Sequence, residues 1–268
     1  MSTATVPLSY ASTNSLSRIA RIFVRETRYE FVRALRTRAF SLSVIGFPVM
    51  FYLLFGVMNR GEAVHGQMVA KYMLASYAAF GAVGAALFGI GVGLAGERVS
   101  GWLELKRASP MPPLAYLAAK CVASVAFGLI IVSILCAVGI FAAGVHVSLT
   151  EYVGLLGVSV IGGVPFACMG LLLAMIVPAN AAPGIVNLIY LPMSYCGGLW
   201  MPISMLPKWL QHAAPWLPTY HLGQLMLWVI GYAQPGEAAM QHVLALTGFA
   251  LLFLGCAWMA FARADADA

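Results

Sequence analysis

Six long apolar stretches dominate this chain: residues 39–58, 72–96, 114–145, 152–177, 184–200 and 243–261. Between them they carry one charged side chain, Lys120, near the entrance of the third, where a long side chain can snorkel back to the interface. About 20 apolar residues at a rise of about 1.5 Å per residue cross a hydrocarbon layer of about 30 Å, so each stretch reads as a membrane span. Composition agrees. Of 268 residues, 62% are apolar and 9% charged, too few charges to coat a soluble domain of this length. The expected fold is an all-α polytopic membrane protein with six spans and no sizeable soluble domain. Residues 1–14 read as a flexible N-terminus, 15–262 as a single transmembrane domain and 263–268 as a C-terminal tail.

The net charge of +6 could suggest nucleic acid, but its placement argues otherwise. Arg18, Arg21, Arg25, Arg28, Arg33, Arg36 and Arg38 precede the first span, opposed by Glu26 and Glu30. That is a basic collar beside a membrane, not a groove for a duplex. With the N-terminus in the cytoplasm and six alternating spans, twelve of the 15 Lys and Arg fall inside. Arg60, Lys71 and Lys208 fall outside. The asymmetry predicts cytoplasmic termini in a bacterial inner membrane. The first apolar run begins 38 residues in and lacks a small-residue cleavage pattern, so the N-terminus is expected to be retained.

Two segments do not read as simple spans. Residues 15–38 interleave arginines with Leu16, Ile19, Phe23, Phe31 and Leu35, an amphipathic pattern that suits a helix lying in the interface against lipid headgroups. Residues 201–241 are a connection whose only Lys, Arg, Asp or Glu are Lys208 and Glu237. Broken by Pro202, Pro207, Pro215 and Pro218, and flanked or studded by Trp200, Trp209, Trp216 and Trp228, it reads as short re-entrant helices in the outer leaflet. A re-entrant helix must be covered by protein to satisfy its ends.

Several chemistries are excluded. Every Asp and Glu maps to a loop, interface or tail, which argues against a proton relay or carboxylate ion site at mid-membrane. No G-x-x-x-x-G-K-[ST] occurs, so this chain is expected to hold no nucleotide and to be no enzyme. The run Gly81, Gly84, Gly89, Gly91, Gly93, Gly96 lies within a span and reads as close helix packing. Ser194 with His221 could form an intramembrane protease pair but lacks a nucleophile motif. Cys121, Cys136, Cys168, Cys196 and Cys256 show neither a C-x-x-C pair nor metal-ligand spacing, and read as small hydrophobes.

The loop between the second and third spans, GERVSGWLELKRASPMPPLAYLAAK from Gly96 to Lys120, mixes opposed charges with Trp102, Leu103 and Leu105. By composition it is a docking element. It resembles the cytoplasmic coupling segment of type-2 ATP-binding-cassette exporter permeases in Glu97, Arg98, Gly101, Leu103, Leu105, Ser109, Pro110 and Lys120. Trp102 departs from the family, where a small or hydroxylated residue commonly follows the Gly. A second block, GGLWMPISMLPKWLQHAAPWLPTYHLGQL over 197–225, resembles the family's external connection before the last span.

The resemblance covers essentially the whole chain. It implies a dimer of permeases, homodimeric or heterodimeric, served by separate ATPase subunits that bind ATP and Mg, with no cofactor in this chain. The expected partners are those ATPases, a second permease copy and membrane lipids. Glu97, Arg98, Gly101, Glu104, Lys106, Arg107, Ser109 and Pro110 are then the candidate ATPase-coupling residues in the 97–113 loop. Phe80, Leu87, Asn187, Tyr190 and Tyr195 are candidates for the path of an amphipathic, drug-like, lipid or glycan cargo, although packing could explain each. Pro202, Pro207, Trp209, Pro218 and Tyr220 are candidates for an external gate. A non-transporting membrane scaffold shares this topology and is the alternative from another class.

Overall fold

The computed structural model describes residues 15–64, 66–101, 113–234 and 236–266. Helix α1 (Ser15–Arg36) leads into α2 (Arg38–Phe51), which continues through a π-helical turn at Tyr52–Val57. A two-residue antiparallel ladder, Ala63–Val64 with Gln67–Met68, turns through Gly66 at φ 77°. The next rod consists of α3 (Val69–Ala86), a π-helical stretch at Leu87–Val92 and α4 (Gly93–Val99). Then come α5 (Pro113–Ala143), α6 (Leu149–Ile176), α7 (Ala182–Cys196), the short α8 (Lys208–Ala213), α9 (Pro218–Val229) and α10 (Ala239–Ala266).

Among the described residues, five helices are long and apolar enough to cross a membrane: Arg38–Val57, Val69–Val99, Ala115–Ala143, Leu149–Ile176 and Ala239–Phe261. Each covers a predicted span to within a few residues. The predicted span 184–200 instead holds the 15-residue α7, only about 22 Å long at the α-helical rise. Gly197 follows its last turn, and Gly198 takes φ 77°, which ends the helix.

The Val69–Val99 rod is central. Of its most apolar window 78% is buried inside the protein, against 11% for the last span. It runs parallel to α6, as the pins at both ends show. At one end Lys71 bonds Glu151 at 2.6 Å, in the first turn of α6, where Ser148 and Glu151 also form a capping box. At the other, Arg98 donates to the carbonyls of Met175 and Val177 as α6 finishes. Helix α5 runs antiparallel to the rod, with Gly139 against Leu74 and Ile131 against Gly81.

Within the Gly-rich run, Gly81, Gly84, Gly89 and Gly91 sit in close packing as expected, whereas Gly96 has open space around it. A Cβ placed on Gly170 would lie 3.1 Å from the Gly91 backbone nitrogen, so two backbones cross there without side chains. Tyr190 fills the space above Gly84 and donates its hydroxyl to the Phe80 carbonyl at 2.8 Å. Tyr190 stacks on Phe80 at 4.7 Å, and Phe51, Tyr77 and Trp200 extend this aromatic cluster. No disulfide forms among the five cysteines, of which Cys136 is buried. Ser194 and His221 do not pair: the Ser194 hydroxyl is buried without a hydrogen-bond partner among the described residues, and His221 bonds elsewhere.

Candidate coupling site

The helix that leads into the docking loop ends in consecutive residues of opposite charge, Glu97 and Arg98. About 100° separates successive side chains on an α-helix, so the two reach different neighbours. Arg98 reaches the last turn of α6, where two carbonyls have no intrahelical donor, and the cation also suits the negative end of that helix dipole. Ser100 closes α4 by bonding the Gly96 carbonyl at 3.0 Å. Gly101 follows at φ 74°, a left-handed conformation that carries the chain away from the helix axis.

Glu97 turns inward and is 1% exposed. Its Oε1 accepts from Arg33 of α1 and from Lys120 of α5, the latter at 2.9 Å. Lys120 also bonds Glu30 of α1 at 2.7 Å, stands 5.2 Å over the Tyr116 ring and is 4% exposed. Two carboxylates and two cations thus form one electroneutral knot joining α1, α4 and α5. Burial would lower the Arg33 pKa, but the bond to Glu97 and the charges of Glu97 and Glu30 outweigh it and hold it above its ordinary value. Glu97 Oε2 is buried and has no hydrogen-bond partner among the described residues.

This arrangement corrects one reading of the sequence: Lys120 does not snorkel out to the interface but is buried between two acids. Glu97, at the edge of the loop, lies in the last turn of α4 and is enclosed by protein. Removing one partner of such a set strands a buried charge. Neither Arg33 as a partner of Glu97 nor Glu30 as a partner of Lys120 was legible in the sequence. Glu30 was nonetheless detectable as an acid on the same face of α1 as Thr27, Phe31 and Ala34, the face that packs on α5 through the 5.3 Å Phe31–Phe127 ring contact.

The remaining candidates are dispersed. Glu104, Lys106, Arg107, Ser109 and Pro110, with Trp102, lie outside the described residues. Phe80, Leu87 and Tyr190 are buried in helix packing, Asn187 is exposed on α7, and Tyr195 is half-buried with its ring edge-on to Trp200 at 5.9 Å. Of the external residues, Pro207 and Trp209 are exposed and Pro218 is buried. Tyr220 donates to Glu237 at 2.6 Å, and Pro202 lines an outward cavity of about 510 Å³ with Asn59, Glu62, Gln67 and Gln234.

Residues 23–231 match the ABC-2 type transporter family. The chain belongs to that family. The matched range opens within α1 and closes just after α9, so it takes in the whole charged knot, the 97–113 loop and the 201–241 segment as far as residue 231. The chain is also similar to the "Putative transport permease YvfS" of Bacillus subtilis (strain 168), with 26% identity over 235 residues, 87% of this chain and 94% of the relative. Family and helices together make this a multi-pass membrane transport permease, a transport subunit rather than an enzyme. Membership implies association with an ATP-binding-cassette ATPase.

Proposed function

We propose that the permease is the membrane subunit of an ATP-driven exporter, and that the Glu97–Lys120–Glu30–Arg33 knot transmits ATPase movement to the spans. The observation that carries this reading is the knot's position: Glu97 and Arg98 immediately precede the docking loop, and Lys120 follows it. Force on the loop therefore meets the interfacial helix through Glu30 and Arg33, and α6 through Arg98. In this reading Glu97 and Arg98 hold the base of the loop, while Glu104, Lys106, Arg107, Ser109 and Pro110 meet the ATPase, their charge setting register and specificity. ATP and Mg belong to that partner. Coupling is a two-state bias, in which nucleotide favours one arrangement of the spans over the other.

The proposed topology has six crossings, with both termini cytoplasmic in a bacterial inner membrane. Support for α7 as a crossing comes from its contacts along the central rod. Val186 lies beside Gly91, Tyr190 bonds Phe80, and the Trp200 carbonyl accepts from Tyr77 at 3.2 Å. Ascending α7 thus follows the rod from its cytoplasmic part towards its outer end. Support for a re-entrant external segment comes from α9. Thr219 bonds the Met193 carbonyl at 2.7 Å, Leu222 packs at Gly162, and Val229 packs at Gly154 nearer the start of α6. Its turns are covered by protein, as re-entrant backbone requires. A second permease copy would complete the path, with Asn187 and Tyr195 on its wall and an amphipathic, lipid-like or glycan cargo passing between the copies.

The test is co-purification with the candidate ATPase, followed by ATP hydrolysis in proteoliposomes. The expected result is a stable complex whose hydrolysis rises with cargo, and whose Glu104→Arg variant inserts normally but loses that stimulation. Full stimulated hydrolysis in the variant would remove the loop from the docking role.

A further inference from the structure

The cavity of about 510 Å³ beside Pro202 lies at the end of the central rod away from the charged knot, and the coupling reading does not use it. Three pieces of chain far apart in sequence build it: the hairpin and first turn of α3 over 59–73, the turn at 202–205, and the turn after α9 at 232–234. Direct bonds hold these pieces together. The Met68 N–H donates to the Tyr232 hydroxyl oxygen at 3.0 Å, tying the hairpin to the turn after α9. The Tyr77 hydroxyl donates to the Trp200 carbonyl at 3.2 Å, tying α3 to the start of the external segment. The walls are therefore preformed, and the volume falls within the range of about 300–1,000 Å³ typical of small-molecule sites. A bare metal ion needs several oxygens closing on it at about 2.0–2.6 Å, for which this cavity is too wide.

The chemistry of the wall selects a class of ligand. Glu62 is the one charged side chain among the described residues that line the cavity, and no described residue pairs with its carboxylate. The cations on either side of it in sequence are occupied elsewhere: Arg60 donates to the Ala142 carbonyl at 3.3 Å, and Lys71 bonds Glu151 at 2.6 Å. Asn59 Nδ2 donates to the Phe55 carbonyl at 2.7 Å, which leaves its amide oxygen as the acceptor. Tyr72 and Tyr232 bring aromatic rings to the wall, and Val69, Met73 and Met205 bring apolar surface. A carboxylate, acceptor oxygens and aromatic rings all favour a positive group, while the apolar remainder favours an organic body. An anion would meet Glu62 with no compensating cation in the described lining, and a neutral sugar would draw nothing from its charge.

We infer that this cavity is a binding site for a small organic ammonium ion, with its charged head at Glu62 and its apolar body against Met73 and Met205. The site is complete within one subunit. Asn187 and Tyr195, proposed for the path between copies, do not line it, so it is a recognition site apart from that path. Its opening to the outer compartment rests on the proposed six-crossing topology, whereas its chemistry does not.

The test is calorimetric titration of the full chain, in nanodiscs of zwitterionic lipid at neutral pH, with benzylammonium; empty nanodiscs supply the blank. One saturable site per chain is expected. Benzyl alcohol keeps the ring without the charge and should bind about tenfold more weakly or worse. Glu62→Gln keeps the side chain's shape, removes its charge and should weaken benzylammonium by a similar factor while leaving benzyl alcohol unchanged. Met205 is 68% exposed, so the fold accommodates Met205→Trp, which narrows the cavity and should weaken both compounds. Unchanged unfolding temperatures show that the two variants are folded. Absence of saturable benzylammonium binding, equal binding of the alcohol, or full affinity in Glu62→Gln would overturn the inference. So would saturable binding of maltose that Glu62→Gln leaves unaltered, which would make the cavity a sugar site. The readout needs neither ATPase nor cargo, so its failure leaves the exporter reading standing.

Discussion

Lys120 holds two carboxylates that come together only in the folded chain. Replacing it with Met removes the buried cation that Glu30 and Glu97 share, and stranding a buried charge costs about 3–5 kcal/mol. The expected outcome is a markedly lower unfolding temperature for the detergent-purified Lys120→Met permease. Adding Glu97→Leu removes the stranded acid and leaves Arg33 with Glu30 at 3.7 Å. The double variant should therefore recover most of the lost stability, because apolar replacements of a complete buried pair are often close to neutral. If it recovers stability but not cargo-stimulated ATP hydrolysis, the knot serves transmission as well as folding. Equal loss in the single and double variants would show that the charges do not act as a set.

At the scale of elements, the crossing of α6 with the central rod depends on two glycines. Gly170→Ala would push a methyl to 3.1 Å from the Gly91 nitrogen and 3.3 Å from the Ala86 carbonyl oxygen, both backbone atoms that cannot rotate away. A loss of about 1–3 kcal/mol is expected. Gly163, on the same helix, has nothing within 4 Å of the added carbon, and Gly163→Ala should be neutral or stabilising by up to about 1 kcal/mol, the helix preference of Ala over Gly. Thermal melts of the two variants compare these effects directly. Five spans were legible because burial in lipid imposes length and freedom from charge, both visible in one dimension. Helix α7 was legible as an apolar stretch but not in its extent: Pro183 and Gly198 bound it, and its outer portion continues as turns. The partners of Glu97 were not legible, since Arg33 lies 64 residues away and Lys120 lies 23 away, brought together by packing alone. The close approach of His221 to His242 was hidden for the same reason, the two rings being 21 residues apart.

For the whole molecule, the parity of crossings decides where the C-terminus lies. Five crossings would leave the termini on opposite sides, and six return the chain to its starting side. Single cysteines at Arg25, Arg60 and Lys208, all on exposed stretches, distinguish the two with a membrane-impermeant maleimide. Labelling of Arg60→Cys and Lys208→Cys in intact cells, with Arg25→Cys labelled only after permeabilisation, is expected. Protection of Lys208→Cys in intact cells would mean that α7 does not cross. The charged knot also bears on how the protein is made. The bond between Lys120 and Glu30 closes over 90 residues, so α1, synthesised first, must wait at the bilayer surface until α5 has left the translocon. Only then can the first three spans lock, while the segments that follow α5 are still to be inserted, which makes the N-terminal half a staging platform onto which the rest is delivered.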